Sequence, residues 1–315
     1  MAGGYLLRPV LAFTFMKTFQ IGMAGLDTSH AEAFANLLHD ASHEHHVTGG
    51  RITVAYPGGS PDFDLSINRV GKFTGALRDG HQVKMVDSLA AMRGKCDAVM
   101  LESVDGRVHL EQFREVADWG VPVFIDKPLT VSVSEAREIV RIAAEKKVRV
   151  TSASAIRFAE AFVNSLAEGG NDPVLGVDFY GPMAFVSGCP GYFWYGIHSV
   201  EMLYAAMGPG CREVLTTSTE EHDVLLGRWA DGRVGAVRGN RAGMNTFGGT
   251  VFRKSGARSF DVSTGTKPYY ASLLEKVIPF FADEGEIVSN PEMVEVIAFL
   301  DAANRSRESQ KWETL

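Results

Sequence analysis

The run Val121-Pro122-Val123-Phe124-Ile125-Asp126-Lys127-Pro128 decides how the chain is read. An apolar, β-rich stretch ends abruptly in an acid, a lysine and a proline. Proline cannot extend a β-ladder, and it pushes the residue before it into an extended conformation. Lys127 is therefore delivered at the carboxyl end of a strand, which is where open parallel α/β sheets bind their ligands. A surface lysine paired with its acidic neighbour is the alternative that this tripeptide leaves open.

Working outward, strand and helix alternate on both sides of that run. Strands are expected at Thr18–Ala24, Arg51–Tyr56, Val83–Val86, Asp97–Leu101, Val121–Ile125 and Val148–Ser152. Between them, Ser29-His30-Ala31-Glu32 and Ser132-Val133-Ser134-Glu135 read as capping boxes that open helices. Ser66–Arg78, Ser88–Arg93 and His109–Trp119 supply the other helical segments, the last closed by Gly120. Six strands alternating with helices imply a doubly wound parallel sheet of the dinucleotide-binding kind over residues 16–152.

Residues 153–315 change character. After a helix near Ala159–Glu168, strand-like runs follow one another: Val174–Tyr180, Met183–Ser187, Glu213–Thr217, Val224–Trp229, Val234–Arg238 and Thr250–Arg253. Asp231-Gly232 between two of them is a hairpin signal. Helices at Tyr270–Asp283 and Pro291–Arg307 close the chain. The fold class is therefore α/β: a Rossmann sheet followed by an α+β domain with a largely antiparallel sheet. A bare face or edge of that second sheet would suit a homodimer or homotetramer.

Composition narrows the function. The chain has 315 residues, enough for two domains, and is 45% hydrophobic with a net charge of −7. That charge argues against nucleic acid or an anionic membrane as a partner and leaves a small-molecule substrate. Three scattered cysteines, Cys96, Cys189 and Cys211, lack metal-ligand spacing and fit a reduced, cytoplasmic protein. The apolar run Tyr5–Phe15 is too short to span a membrane and has no basic segment ahead of it, so residues 1–15 read as an extension.

With these elements placed, four motifs in order resemble the Gfo/Idh/MocA family, the glucose–fructose oxidoreductase and inositol dehydrogenase group. Asp126-Lys127-Pro128 resembles its Glu-Lys-Pro motif, and His109 resembles the histidine after its fourth strand. Arg157-Phe158 resembles the pair that opens its second domain. Gly196-Ile197-His198-Ser199-Val200-Glu201 resembles its Gly-x-His-x-x-Asp segment. The resemblance implies an NAD- or NADP-dependent oxidoreductase acting on a sugar- or polyol-like substrate. In that reading Lys127 and His198 are catalytic, because hydride leaves a carbinol carbon only as its hydroxyl loses a proton. Gly25, Asp27, Thr28, Ser29, His30, Glu102, His109 and Asp126 would lie along the cofactor, and Arg157, Trp194, Tyr195 and Glu201 beside the substrate.

The match breaks in three places. Where the family has Gly-x-Gly-x-x-Gly, this chain reads Gly25-Leu26-Asp27-Thr28-Ser29-His30, and a carboxylate at Asp27 would crowd and repel pyrophosphate. His30, in the first turn of the helix, would instead donate to an anion. No ribose-binding acid follows Tyr56, and Ser60 with Arg69 or Lys72 is the candidate receiver of a 2′-phosphate. Trp194 occupies the position four residues before His198 where some members carry an acid. These departures support a second expectation, a family member without redox activity that binds a ligand or regulates. Asp27, Glu102, Asp105 and Asp126 gather at strand ends with Lys127 and Arg107 as candidate partners, but without recognised ligand spacing, so no metal is expected. His39, His43, His45 and His46 read as a solvated loop.

Overall fold

The computed structural model describes residues 18–315; the 1–15 extension lies outside them. The first half contains β1 (Phe19–Ala24), α1 (Ser29–His39), β2 (Gly50–Tyr56), α2 (Asp64–Gly75), β3 (Lys84–Met85), β4 (Ala98–Leu101), α3 (His109–Val116), β5 (Val123–Ile125), α4 (Val133–Lys146) and β6 (Val150–Ser152). The six strands form one parallel sheet in the order β3-β2-β1-β4-β5-β6. The order reverses between β1 and β4, and that switch point is where a doubly wound sheet opens a crevice. β1, β4 and β5 are almost wholly apolar and buried at their inner positions, as strands covered on both faces by helices must be.

Local chemistry departs from expectation at the helix starts. Thr28, not Ser29, caps α1, its Oγ1 accepting from His30 N at 3.3 Å. Ser132 stands at the N-cap of α4, but its hydroxyl meets Ser134 Oγ at 2.9 Å rather than a helix N–H. Neither capping box forms. Ser88–Arg93 shrinks to a single 3₁₀ turn, Ala90–Met92, and α2 runs on into a π-helical turn at Ala76–Gly80.

Beyond a 3₁₀ turn at Ala155–Phe158 the chain continues with α5 (Glu160–Ala167), β7 (Val174–Pro182), α6 (Gly196–Met207), β8 (Cys211–Ser218), β9 (His222–Trp229), β10 (Val234–Asn240), β11 (Gly248–Arg253), β12 (Gly256–Asp261), α7 (Tyr269–Phe281), α8 (Asn290–Ser309) and β13 (Glu313–Thr314). The seven strands pair in the order β12-β11-β7-β10-β9-β8-β13. Every pair is antiparallel except β7 with β10. Asp231-Gly232 does turn the β9–β10 hairpin, with Gly232 at φ +88° and its N–H donating to Trp229 O. Met183–Ser187 is not a strand. Pro182 ends β7, and after one bond from Met183 N to Asn240 O the chain leaves the sheet.

The two sheets share helices from the end of the chain. Tyr270 of α7 packs on Phe34 of α1, ring centroids 5.7 Å apart, and Met293 of α8 offers its sulfur to Ser152 N of β6. The same α8 lies on β8 through Ser306 Oγ, which accepts from Thr216 N at 2.8 Å. No helix among the described residues is long and apolar enough to cross a membrane.

Candidate functional site

The carboxyl ends of β1, β4 and β5 face a cavity of about 170 Å³ closed on the far side by the second half of the chain. Lys127 reaches it as expected: the strand stops at Ile125 and the lysine side chain, 7% exposed, lines the cavity with Nζ 5.1 Å from the Trp194 ring centroid. His198 is brought to the same cavity by the first turn of α6. Its Nδ1 lies 2.6 Å from Ser154 Oγ. Burial, reinforced by the charge of Lys127, holds its pKa well below the usual imidazole value, so the ring is neutral. Trp194 and Tyr195 line the cavity too, and Tyr195 meets the His198 ring edge-on at 5.6 Å.

The glycine loop is arranged differently from expectation. Gly25 adopts φ +89°, and a Cβ there would fall 2.3 Å from Ser103 N, so the turn admits only glycine. Asp27 does not project at a ligand. Its carboxylate is fully buried, accepting from Val104 N at 2.9 Å and from Ser66 Oγ at 2.5 Å. Burial raises its pKa, and those two hydrogen bonds offset part of the rise. Ser66 Oγ in turn accepts from Ser60 N at 2.8 Å. Asp27 thus ties the loops after β1, β2 and β4 together, and the feared charge repulsion is replaced by a structural knot. Thr28, Ser29 and His30 remain at the cavity wall.

His30, Glu102 and Asp126 meet beneath that wall. His30 Nδ1 is 2.9 Å from Asp126 Oδ2 and 3.9 Å from Glu102 Oε2. Burial favours the neutral form of Asp126, but the His30 and Lys127 charges outweigh it and hold the pKa down. Glu102 goes the other way, pushed well above the carboxylate range by burial and then by the charge of Asp126. Arg107 pairs with Asp105 at 2.9 Å and Asp62 at 3.0 Å, and so does not reach this cluster.

Three expected site residues lie elsewhere. His109 is fully buried, its Nδ1 3.0 Å from Pro128 O and its Nε2 2.8 Å from Ser103 O, so it pins the β4 and β5 loops to each other. Arg157 and Glu201 spend their charges on one another at 3.0 Å, with Glu292 on the other side of the guanidinium, and do not line the cavity. Both side chains belong to a buried ion cluster. Arg69, by contrast, does line the cavity, its Nε donating to Leu65 O and its Nη2 buried without a partner. It is not beside Ser60 in an adenosine pocket, and Lys72 sits over Phe73 instead. Sequence reading missed Tyr269, Tyr270 and Phe247 of the cavity wall, which come from distant elements without a motif.

A second hollow of about 380 Å³ opens at the ends of β2 and β4, lined among others by Tyr56, Gly58, Ser60, Gln112 and Glu115. The first hollow is lined by the start of α1, and the second by the loops after β2 and β4. The left-handed Gly25 turn, a helix start free to meet phosphate and the two hollows fit an extended dinucleotide. The second hollow has Glu111 and Glu115 but no lysine or arginine on its walls, which suits a ribose hydroxyl and not a 2′-phosphate.

The fold and this crevice define a Rossmann protein of the dinucleotide-binding kind. Residues 19–154 match the family described as "Oxidoreductase family, NAD-binding Rossmann fold". That stretch is similar to the Gfo/Idh/MocA oxidoreductases. "Putative oxidoreductase YceM" of Salmonella typhimurium is 28% identical over 147 residues, 47% of this chain and 42% of that protein. The chain thus matches less than half the length of that relative. GenD2 from gentamicin A biosynthesis, solved in complex with NAD, superposes with a TM-score of 0.75 at 17% identity over 99% of both chains. Myo-inositol dehydrogenase from Lactobacillus casei, solved with NAD(H) and myo-inositol, gives 0.75 at 16% identity over 94% of this chain and 96% of that one. At such identity these two likenesses speak for the fold.

Proposed function

We propose that the chain is an NAD-dependent dehydrogenase acting on a sugar- or polyol-like substrate in the cavity between the two sheets. One observation carries the proposal: Lys127 projects Nζ into the cavity nine-tenths buried, with no acid among the described residues paired to it. A cationic donor so placed binds the oxygen of a carbinol or carbonyl. NAD supplies the hydride acceptor when bound. Lys127 holds the reacting oxygen and handles its proton, and His198, neutral and fixed by Ser154, accepts or returns that proton beside it. Trp194 and Tyr195 line the cavity and offer aromatic surface to the apolar side of a sugar. Arg69 leaves one buried N–H group for a further oxygen. Asp27 and His109 keep the loops that carry these groups in register. The family match favours this reading over a ligand-binding protein without redox activity.

The experiment is a titration with NADH and NADPH followed by nicotinamide fluorescence, and then a polyol and sugar screen with Lys127→Ala as control. Micromolar NADH binding and turnover lost in the variant are expected. Folded protein that binds neither nucleotide would sink the proposal.

The proposal extends to a homodimer or homotetramer in the cytoplasm. Exposed Val234 of β10 and Phe252 of β11 stand opposite Gly176 on either side of β7 and support self-association, and three free thiols support a reducing compartment. Light scattering on the purified chain tests the first; a monomer at micromolar concentration would overturn it.

A further inference from the structure

We propose that His30, Glu102 and Asp126 form a binding site for one divalent transition-metal ion of the zinc or manganese type, under the cavity wall beside Lys127. One donor atom from each side chain lies within 4.8 Å of the others, with His30 Nδ1 to Asp126 Oδ2 at 2.9 Å and to Glu102 Oε2 at 3.9 Å. A cation held at roughly 2.0–2.2 Å spaces its ligand atoms about 3.0–3.6 Å apart. The triangle is therefore close to the size such an ion requires.

Glu102 is the independent observation. It is completely buried, and neither carboxyl oxygen has a hydrogen-bond partner. Buried polar groups in folded proteins are nearly always paired, and an orphan points to a missing ligand. No ion pair from Lys127 reaches it among the described residues. At the paired buried site around Arg157, by comparison, each carboxylate meets a guanidinium nitrogen.

The donors are also held in place before any ion arrives. Glu102 N donates to Ala24 O and Asp126 N to Leu101 O, so both acids are fixed by the ends of neighbouring strands. The His30 ring is stacked on Phe34 at 5.7 Å and tilted against Tyr270 at 4.9 Å. Two of the three donors stand where the sequence departs from the motifs it resembles: His30 at the third glycine position, and Asp126 for the longer glutamate. Those departures meet each other in space. An imidazole with two carboxylates suits zinc or manganese better than magnesium or calcium, which prefer oxygen donors and larger shells. Two carboxylates balance a dication, leaving Lys127 as the local cation.

This site goes beyond the dehydrogenase reading and is tested without substrate or nucleotide. The protein is stripped with a chelator, dialysed, and titrated calorimetrically with zinc chloride, manganese chloride and magnesium chloride in turn. One equivalent of zinc or manganese per chain is expected, with magnesium at least tenfold weaker. Glu102→Gln and His30→Asn, each checked for folding by circular dichroism, should weaken binding by on the order of 100-fold. Replacing His43 and His45, a half-buried loop pair that could gather zinc adventitiously, should leave the tight equivalent in place. Cobalt substitution gives a second readout should Glu102→Gln fail to fold: its visible absorption should change in His30→Asn. No tight equivalent in the wild type, or one unchanged by both ligand variants, overturns the site. NADH titration of the stripped protein runs alongside, so loss of nucleotide binding would count against the dehydrogenase reading and not against the metal.

Discussion

The ionic clusters around Arg157 and beneath the cavity wall are both buried, and they are finished to different degrees. Around Arg157, the guanidinium meets Glu201 at 3.0 Å on one side and Glu292 on the other, and Arg157 Nη1 also donates to the Glu201 carbonyl. Beneath the cavity wall, His30 and Asp126 approach each other while Glu102 has no hydrogen-bond partner and Lys127 Nζ lies in the cavity over the Trp194 ring. Both clusters are expensive to bury. The first spends its charges internally and fixes the turn after β6 against α6 and α8. The second keeps donors and acceptors unspent, which is what a binding site needs and a scaffold does not.

That contrast can be broken by mutation. Arg157→Ala leaves two buried carboxylates without a cation and should cost about 3–5 kcal/mol, read as a shift of the urea midpoint. A loss below 1 kcal/mol would mean that the cluster is not structural. The next effect is one of pH. Burial pushes Glu201 up to about 7 against the attraction of Arg157. Its folded pKa therefore exceeds the unfolded value of 4.5, so the folded chain holds the extra proton between the two. Stability from this group is full below pH 4.5 and falls as pH rises through about 7, by up to about 3 kcal/mol. Urea midpoints measured from pH 4.5 to 8 should flatten in Glu201→Gln. They should not become level, because Glu102 is raised in the same direction.

Asp27→Ala comes next. It strands Val104 N–H and Ser66 Oγ, costs about 1–3 kcal/mol, and loosens NADH binding by loosening the loops. Tighter NADH binding in that variant would show that the carboxylate obstructs the cofactor. The smallest stability change is expected at Lys127→Met, below about 1.5 kcal/mol, since His30 stays beside Asp126 to favour its charge and the volume is nearly kept. Turnover should nevertheless vanish. If this variant destabilises as much as Arg157→Ala, the distinction between the two clusters fails.

The parallel sheet was legible because its strands are apolar runs that end in turn residues, and the resemblance of the motifs placed Lys127 and His198 in one cavity. The second half was read less well. Nine of the twelve residues of α6 are buried, so its apolar positions leave no helical stripe to find. β12 is exposed over its first four residues and has no alternation. At the site, the position of Asp27 was readable but its direction was not, since that depends on Ser66 and Val104, 39 and 77 residues away. Arg157 and Glu201 each resembled a substrate contact, and only their three-dimensional pairing shows where their charges go. The approach of His30 to Glu102 and Asp126 likewise joins three separate strand and helix ends.

The packing of α8 against both sheets bears on the order of events on the ribosome. Residues 290–309 are made after every strand but β13, yet α4 and β6 are covered by this helix. Folding during synthesis usually proceeds domain by domain from the amino end. Here the first sheet would emerge with the α4 flank that α8 covers still bare and Ser152 N still waiting for Met293. Nascent chains stalled before residue 290 should therefore bind apolar dyes and chaperones through that bare flank, and release them once α8 clears the exit.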